Sequence, residues 1–221
     1  MANQFPHASF VSISDNQRSP LPNLNWVGTV YHGMPANILK AQFTPGDYLA
    51  FLGRITPEKG PETAIRVAQS VRMPLKIAAK VPRAGNRYFR ERIEPMLIDK
   101  SVEFIGEVDD RAKQSFLGNA TALLFPIDWP EPFGLVMIEA MACGTPVIAW
   151  RRGSVPEIVE DGVSGFIVES EAEAVEAIHR VRDLDRGAVR TVFDQRFTSG
   201  RMATNYLQLY RAAIDARIPA G

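Results

Sequence analysis

The sequence has a single cysteine, Cys143, so no disulfide can close within the chain. Its place in the apolar run MACGTPV suits a buried small residue in a reducing compartment. Charge of one sign is not in excess. Across 221 residues, 25 Lys and Arg balance 25 Asp and Glu, which removes any overall positive field for nucleic acid or an anionic membrane and makes any cationic site a local one. No apolar run reaches membrane-spanning length, and the opening residues MANQFPHASF lack a cationic stretch followed by an apolar one. A cytoplasmic location without a transmembrane segment is therefore expected. Repeats and low-complexity tracts are absent. No G-x-G-x-x-G follows a strand-length run, which argues against a dinucleotide-binding domain, and GR-x4-KG at positions 53–60 is not a Walker A loop. The three histidines offer no cluster: His7 lies in a tail, His32 in a linker, and His179 on a helix with Glu176, Arg180 and Asp183. All three read as structural residues.

What is present is ample apolar material, 46% of the chain, for a substantial core. Runs of strand length occur at SFVSI, NWVGTVYH, YLAFLG, LKIAAK, SVEFIG, TALLFP and PVIAW, with a weaker one at GFIVE. Helical spacing of apolar residues separates most of them, over 57–71, about 87–97 and about 110–117. Strands alternating with helices mean βαβ units, and runs without strict alternation mean a sheet buried on both faces. The expected fold class is α/β, an open parallel sheet with helices on both faces and ligands at the strand C-termini. The end of the chain turns helical, about 171–182, 186–193 and 199–216, the first opened by Ser170 and Glu173 as a capping box.

Two stretches carry chemistry. After YLAFLG comes GRITPEKG, which sets Arg54 and Lys59 in the loop beyond a strand C-terminus; a planar fork of donors and a point charge together suit a diphosphate, although two solvated loop charges have the same spacing. The second stretch is EPFGLVMIEAMACGTPV, at 131–147. Pro132 marks a helix start near Phe133 or Gly134, whose free N–H groups attract anions, and Gly134 lets a ligand approach the backbone. Glu131 falls just outside that helix. Glu139 falls inside it among Leu135, Val136, Met137, Ile138, Ala140, Met141 and Ala142, where a carboxylate needs a hydrogen-bond partner. Carboxylates beside a phosphate site repel phosphate, so their partners are expected to be the hydroxyl groups of sugars flanking it.

GR-x4-KG, FIGEV at 104–108, the E-x7-E stretch at 131–139 and RGSVPEIVEDGVSGFIV together resemble the retaining GT-B glycosyltransferases of family GT4, over roughly residues 10–215. The resemblance implies a Rossmann-like sheet that is one half of a GT-B fold. It implies that Arg54 and Lys59, with Glu131 the catalytic set, bind a donor diphosphate beside Gly53, helped by backbone amides at Gly134 and Leu135. It assigns Glu139 to the ribose, Glu131 and Phe133 to the donor sugar, and Lys80 and Val108 to the base. No metal or cofactor is implied, and the cations alone are expected to neutralise the diphosphate. Residues 1–35 resemble the end of an N-terminal domain running into a linker, and 36–221 a donor-binding domain with its C-terminal helices. The implied partners are a nucleotide-sugar donor, an unidentified acceptor and an acceptor-binding N-terminal domain. In that family the last helix crosses back toward the N-terminal domain, so part of the stripe Met202, Tyr206, Leu209, Tyr210 and Ala213 is expected to be exposed. A nucleotide-sugar epimerase or phosphorylase of the same shape, or a non-catalytic nucleotide-sugar-binding module, are the competing readings.

Overall fold

In the computed structural model, residues 8–83 and 86–215 are described; His7 and position 216 of the expected last helix lie outside them. The apolar runs form strands β1 (Phe10–Ser12), β2 (Trp26–Thr29), β3 (Tyr48–Arg54), β4 (Leu75–Lys80), β5 (Val102–Gly106), β6 (Ala120–Phe125), β7 (Val147–Trp150) and β8 (Gly165–Val168). The last six make one sheet in the order β5-β4-β3-β6-β7-β8, parallel throughout, while β1 and β2 pair in parallel apart from it. Every residue of β6 and β7 is buried, which is why their sequences do not alternate. The alternation is between two cores. Ala50, Leu123, Val147 and Ala149 pack on one face, and Leu49, Phe51, Leu124 and Ile148 on the other.

Helices α1 (Pro61–Ser70), α2 (Asn86–Tyr88), α3 (Asp110–Gly118), α4 (Leu135–Ala142), α5 (Val155–Ile158), α6 (Glu171–Arg180), α7 (Arg186–Arg196) and α8 (Ser199–Asp215) complete the chain. The first strand of the large sheet, β3, lies in its middle. The chain winds outward through β4 and β5, then returns to β3's other side for β6, so the loops after β3 and β6 leave in opposite directions and open a crevice between them. The expected open parallel α/β sheet is the observed one.

Local departures from the sequence reading have tertiary causes. The helix expected over 57–71 is two pieces: a 3-10 turn at Pro57–Lys59, then Gly60 in the left-handed region at φ 71°, then α1 from Pro61. A side chain at Gly60 would drive into the Pro126 carbonyl group, so the β6 loop dictates the break. The helix expected at 87–97 is a composite, with a π-helical turn at Phe89–Ile93 and a 3-10 turn at Glu94–Ile98 that contains Pro95. The capping box is displaced by one residue: Ser170 Oγ accepts from the Glu173 amide at 3.2 Å, but the Glu173 carboxylate accepts from the amide of Glu169.

No residue of α8 is buried. Its Leu209 lies over β2, where a Cβ on Gly28 would meet it at 2.7 Å, while Leu207, Tyr210 and Ile214 are more than half exposed at 54%, 56% and 59%. The apolar stripe is thus partly exposed, as expected. The segment holding Asp15, Asn16 and Tyr31 is moored by Glu157 of α5, whose carboxylate accepts from the amides of Asp15 (2.7 Å) and Asn16 (2.8 Å) and from the Tyr31 hydroxyl (3.2 Å).

Replacing Gly60 with alanine is expected to lower unfolding stability by about 2 kcal/mol or more, from left-handed strain and the clash with Pro126. Urea denaturation of G60A beside the unaltered chain measures it, and an unchanged midpoint would contradict the role given to this turn.

Candidate functional site

The crevice is closed at its floor by contacts between the loops after β3 and β6. The Asp128 amide donates to the Glu58 carbonyl at 2.8 Å, and Lys59 Nζ pairs with Glu131 Oε2. The indole N–H of Trp129 donates to the same oxygen at 3.1 Å, and Glu131 Oε1 accepts no hydrogen bond among the described residues. Lys59 and Glu131 are largely covered, their side chains 17% and 14% exposed. Lys59 is therefore not the free, movable cation the sequence suggested, because a carboxylate already balances its charge. Arg54, at the end of β3, is exposed and forms no salt bridge among the described residues.

The shape of the Glu131 loop is set from the loop after β7. Gly153 sits at φ 54° against the Glu131 backbone, with no room for a Cβ. Next to it, Ser154 donates its amide to the Glu131 carbonyl and its hydroxyl to the Phe133 carbonyl, each at 2.9 Å. Gly134 follows as the N-cap of α4 at φ 81°, and no side chain caps this helix. The Met137 amide turns back to the Gly134 carbonyl at 3.0 Å, while the amides of Leu135 and Val136 have no partner among the described residues and are open to a ligand. Phe133 departs from expectation: the residue is 2% exposed, its ring packed against Tyr31, His32 and Phe197 at 6.2, 5.0 and 6.2 Å. The ring belongs to the core. His32 is the edge partner of that ring, and burial lowers its imidazole pKa, consistent with a packing role.

On the other side of the α4 start lies a cleft of about 330 Å³ that Gly53, Lys80, Val108, Leu135 and Glu139 all line. Five residues from four separate sequence stretches converge there. The partner that Glu139 requires is Lys113 of α3, whose Nζ is 2.8 Å from Oε1 and which also lines the cleft. Burial alone would lower the Lys113 pKa, but the hydrogen bonds and charges of Glu139 and Asp110 outweigh it and raise the pKa. Sequence reasoning missed Lys113. The available signal was its spacing, since positions 113, 116 and 117 share a helix face and Phe116 and Leu117 are core residues.

An Asp-x-Asp spacing of the kind that holds metals in other nucleotide-sugar sites occurs at Asp183 and Asp185, and the structure removes it from consideration. Asp185 caps α7, accepting from the Gly187 amide at 2.8 Å. It sits at the opposite sheet edge, beside Thr121 and Pro146 at the starts of β6 and β7. There the buried Arg186 donates to the carbonyls of Gly118 (2.8 Å) and Ala120 (2.9 Å) and to the Thr145 hydroxyl (2.7 Å), and burial pulls its pKa down to about 10.

The model of the family described as glycosyl transferases group 1 matches residues 40–190, from ahead of β3 into α7. The chain belongs to that family. Among curated relatives, a D-inositol 3-phosphate glycosyltransferase of Pseudarthrobacter chlorophenolicus is 29% identical over 189 residues, covering 79% of this chain and 45% of the relative. One of Acidothermus cellulolyticus is 30% identical over 219 residues, covering 83% and 48%. The chain spans about half the length of the curated relatives it matches. Among solved structures, Anabaena Alr3699/HepE in complex with UDP and glucose superposes with a TM-score of 0.82 at 18% identity, over 96% of this chain and 65% of that one. AviGT4, a glycosyltransferase involved in avilamycin A biosynthesis, does so with a TM-score of 0.79 at 24% identity, over 93% and 64%. At these identities the likeness establishes the fold, that of one half of a GT-B glycosyltransferase.

If Gly153 and Ser154 frame the Glu131 loop, Gly153→Ala is expected to raise amide hydrogen exchange across residues 131–135 by about tenfold or more while the sheet strands keep their protection. Exchange measured by mass spectrometry reads this out, and unchanged protection of the loop would refute the frame.

Proposed function

We propose that this chain is the donor-binding half of a glycosyltransferase that moves a sugar from a nucleoside diphosphate sugar to an acceptor with retention of configuration. The observation that carries the reading is the arrangement around α4: an uncapped helix N-terminus at the cleft that Gly53 lines, with the exposed Arg54 next in the chain, flanked by two carboxylates, each held by a lysine through one oxygen. An anion suits the helix start and Arg54, and hydroxyl groups suit the remaining carboxylate oxygens, which matches a diphosphate between two sugars. The relatives named as glycosyltransferases and the HepE complex with UDP and glucose support the same donor class.

In this reading the bond from the anomeric carbon to the diphosphate lengthens through an oxocarbenium-like state. The leaving charge is stabilised by Arg54, by Lys59 and by the amides of Gly134 and Leu135; one such preorganised donor is worth about 3 kcal/mol in comparable sites. Glu131 Oε1 orients a hydroxyl of the donor sugar, and Glu139 holds the ribose. No carboxylate serves as a covalent nucleophile. The acceptor arrives across the cleft on a second domain, to which residues 8–35 are the connection, so this chain alone binds donor and does not transfer it.

Calorimetry on two variants tests the assignment, with UDP and UDP-glucose as probes. Glu139→Ala is expected to weaken both ligands by about 1–3 kcal/mol. Glu131→Ala is expected to weaken UDP-glucose alone, and UDP is retained or tightened because Lys59 loses its competing carboxylate. Equal losses of both ligands in Glu131→Ala would refute the division of labour. Chelator is expected to leave UDP binding unchanged, since Arg54 and the helix start supply uncompensated positive charge. Binding abolished by chelator would overturn that part of the reading.

A further inference from the structure

We propose that Lys113 is a positioning residue of the nucleotide site: by holding one oxygen of Glu139 it aims the other at the ribose, and so sets a preference for ribonucleotides. The inference rests on the donor-site reading above and adds a residue to it.

The placement of Lys113 is built up from α3. Asp109 caps that helix, accepting from the Ala112 amide at 2.7 Å, which fixes where its first turn begins. Lys113 then falls one turn in, on the face that carries Phe116 and Leu117 into the core. A lysine on a core-facing position keeps its stem on apolar surface and needs an acceptor for its head. Two are supplied, Glu139 Oε1 at 2.8 Å and Asp110 Oδ1 at 3.3 Å. They differ in kind, for Asp110 is 82% exposed and Glu139 only 17%. The partly covered carboxylate is the one that depends on the lysine, because a charge withdrawn from water needs a fixed counter-charge and the Glu139 carboxylate has no other hydrogen-bond partner among the described residues.

The pair also has a direction. Glu139 and Lys113 both line the cleft with Val108 and Leu135, and the lysine engages Oε1 alone, so Oε2 keeps its accepting capacity. A carboxylate fixed by one oxygen offers the other with little loss of rotamer freedom, whereas an unfixed one must be ordered by the ligand itself. Lys113 stays protonated in this setting, since the charges of Glu139 and Asp110 outweigh its burial. A clasp that merely joined α3 to α4 would affect stability and every ligand alike. A positioning residue affects above all the ligand that carries the hydroxyls.

The test compares dissociation constants for UDP and 2′,3′-dideoxy-UDP in the unaltered chain, Lys113→Met and Lys113→Arg, with ADP and GDP and their dideoxy counterparts in parallel. The unaltered chain is expected to prefer the ribonucleotide by about tenfold or more, the size of one or two charge-assisted hydrogen bonds. Lys113→Met is expected to lose most of that preference, weakening the ribonucleotide well beyond the smaller loss that the unbalanced Glu139 charge imposes on both ligands, and Lys113→Arg to retain it. Thermal melts accompany each variant, and Lys113→Gln replaces the methionine if that protein does not fold. An unchanged preference in Lys113→Met, or equal weakening of both ligands, overturns the proposal. Failure of the unaltered chain to bind any of the three diphosphates sinks the donor reading itself. Binding without any ribose preference removes the ribose from Glu139, and the role of Lys113 with it.

Discussion

The ion pair between Lys59 and Glu131 spans the place where the strand order reverses, and it ties together the two loops that bound the site. A parallel sheet that starts in its middle must leave a gap between the first strand's loop and that of the strand added on its other side. Here the gap lies between the loops after β3 and β6, and the pair draws those loops together at the bottom while leaving the rim open. Neighbouring contacts reinforce it: the Asp128 amide on the Glu58 carbonyl, and Gly60 against Pro126. Since both side chains are mostly covered, removing either partner would leave a charge poorly solvated, so the pairing constrains both loops at once.

The same pairing answers an electrostatic difficulty. A crevice suited to a diphosphate carries two carboxylates, Glu131 and Glu139, which by themselves would repel it. Each is balanced by a lysine at contact distance, Lys59 for one and Lys113 for the other. What remains uncompensated is positive: the exposed guanidinium of Arg54 and the open N-terminus of α4. The balance is local, within a chain whose total charge is zero, so the field that would draw an anion acts at short range and is screened beyond about 10 Å at moderate salt.

How much of this was legible in the sequence follows from how local each feature is. The strands were readable because continuous apolar runs are the direct consequence of burial on both faces, and their alternation with helices leads to a parallel sheet. The grouping of Gly53, Lys80, Val108, Leu135 and Glu139 came from the family resemblance and not from spacing, and the cleft they line brings all five together. The break at Gly60 was not readable, because the helical periodicity of 57–71 continues through it and the cause is a carbonyl group 66 residues downstream. The burial of the Phe133 ring was missed for a related reason: its neighbours Tyr31, His32 and Phe197 come from opposite ends of the chain. Lys113 was overlooked because a lone lysine in a charged stretch normally marks a solvated face. Its spacing from Phe116 and Leu117 was the contrary sign.

The stretch RGSVPE explains why a segment can carry family resemblance without lining the cleft. Gly153 and Ser154 support the Glu131 loop from behind, the first by yielding space to its backbone and the second by two hydrogen bonds to it. Glu157, three residues on, holds the amides of Asp15 and Asn16 and the hydroxyl of Tyr31, whose pKa rises to about 12 as burial and the facing carboxylate disfavour its ionisation. Pro156 in the first turn of α5 fixes the chain direction between the two jobs. One short stretch thus sets both the curvature of the loop that bears Glu131 and the seat of the segment that precedes the large sheet. Tyr31 belongs to both, since its ring packs on Phe133 while its hydroxyl binds Glu157. The position of the N-terminal segment and the backbone beside the α4 start are therefore mechanically continuous through side chains in direct contact.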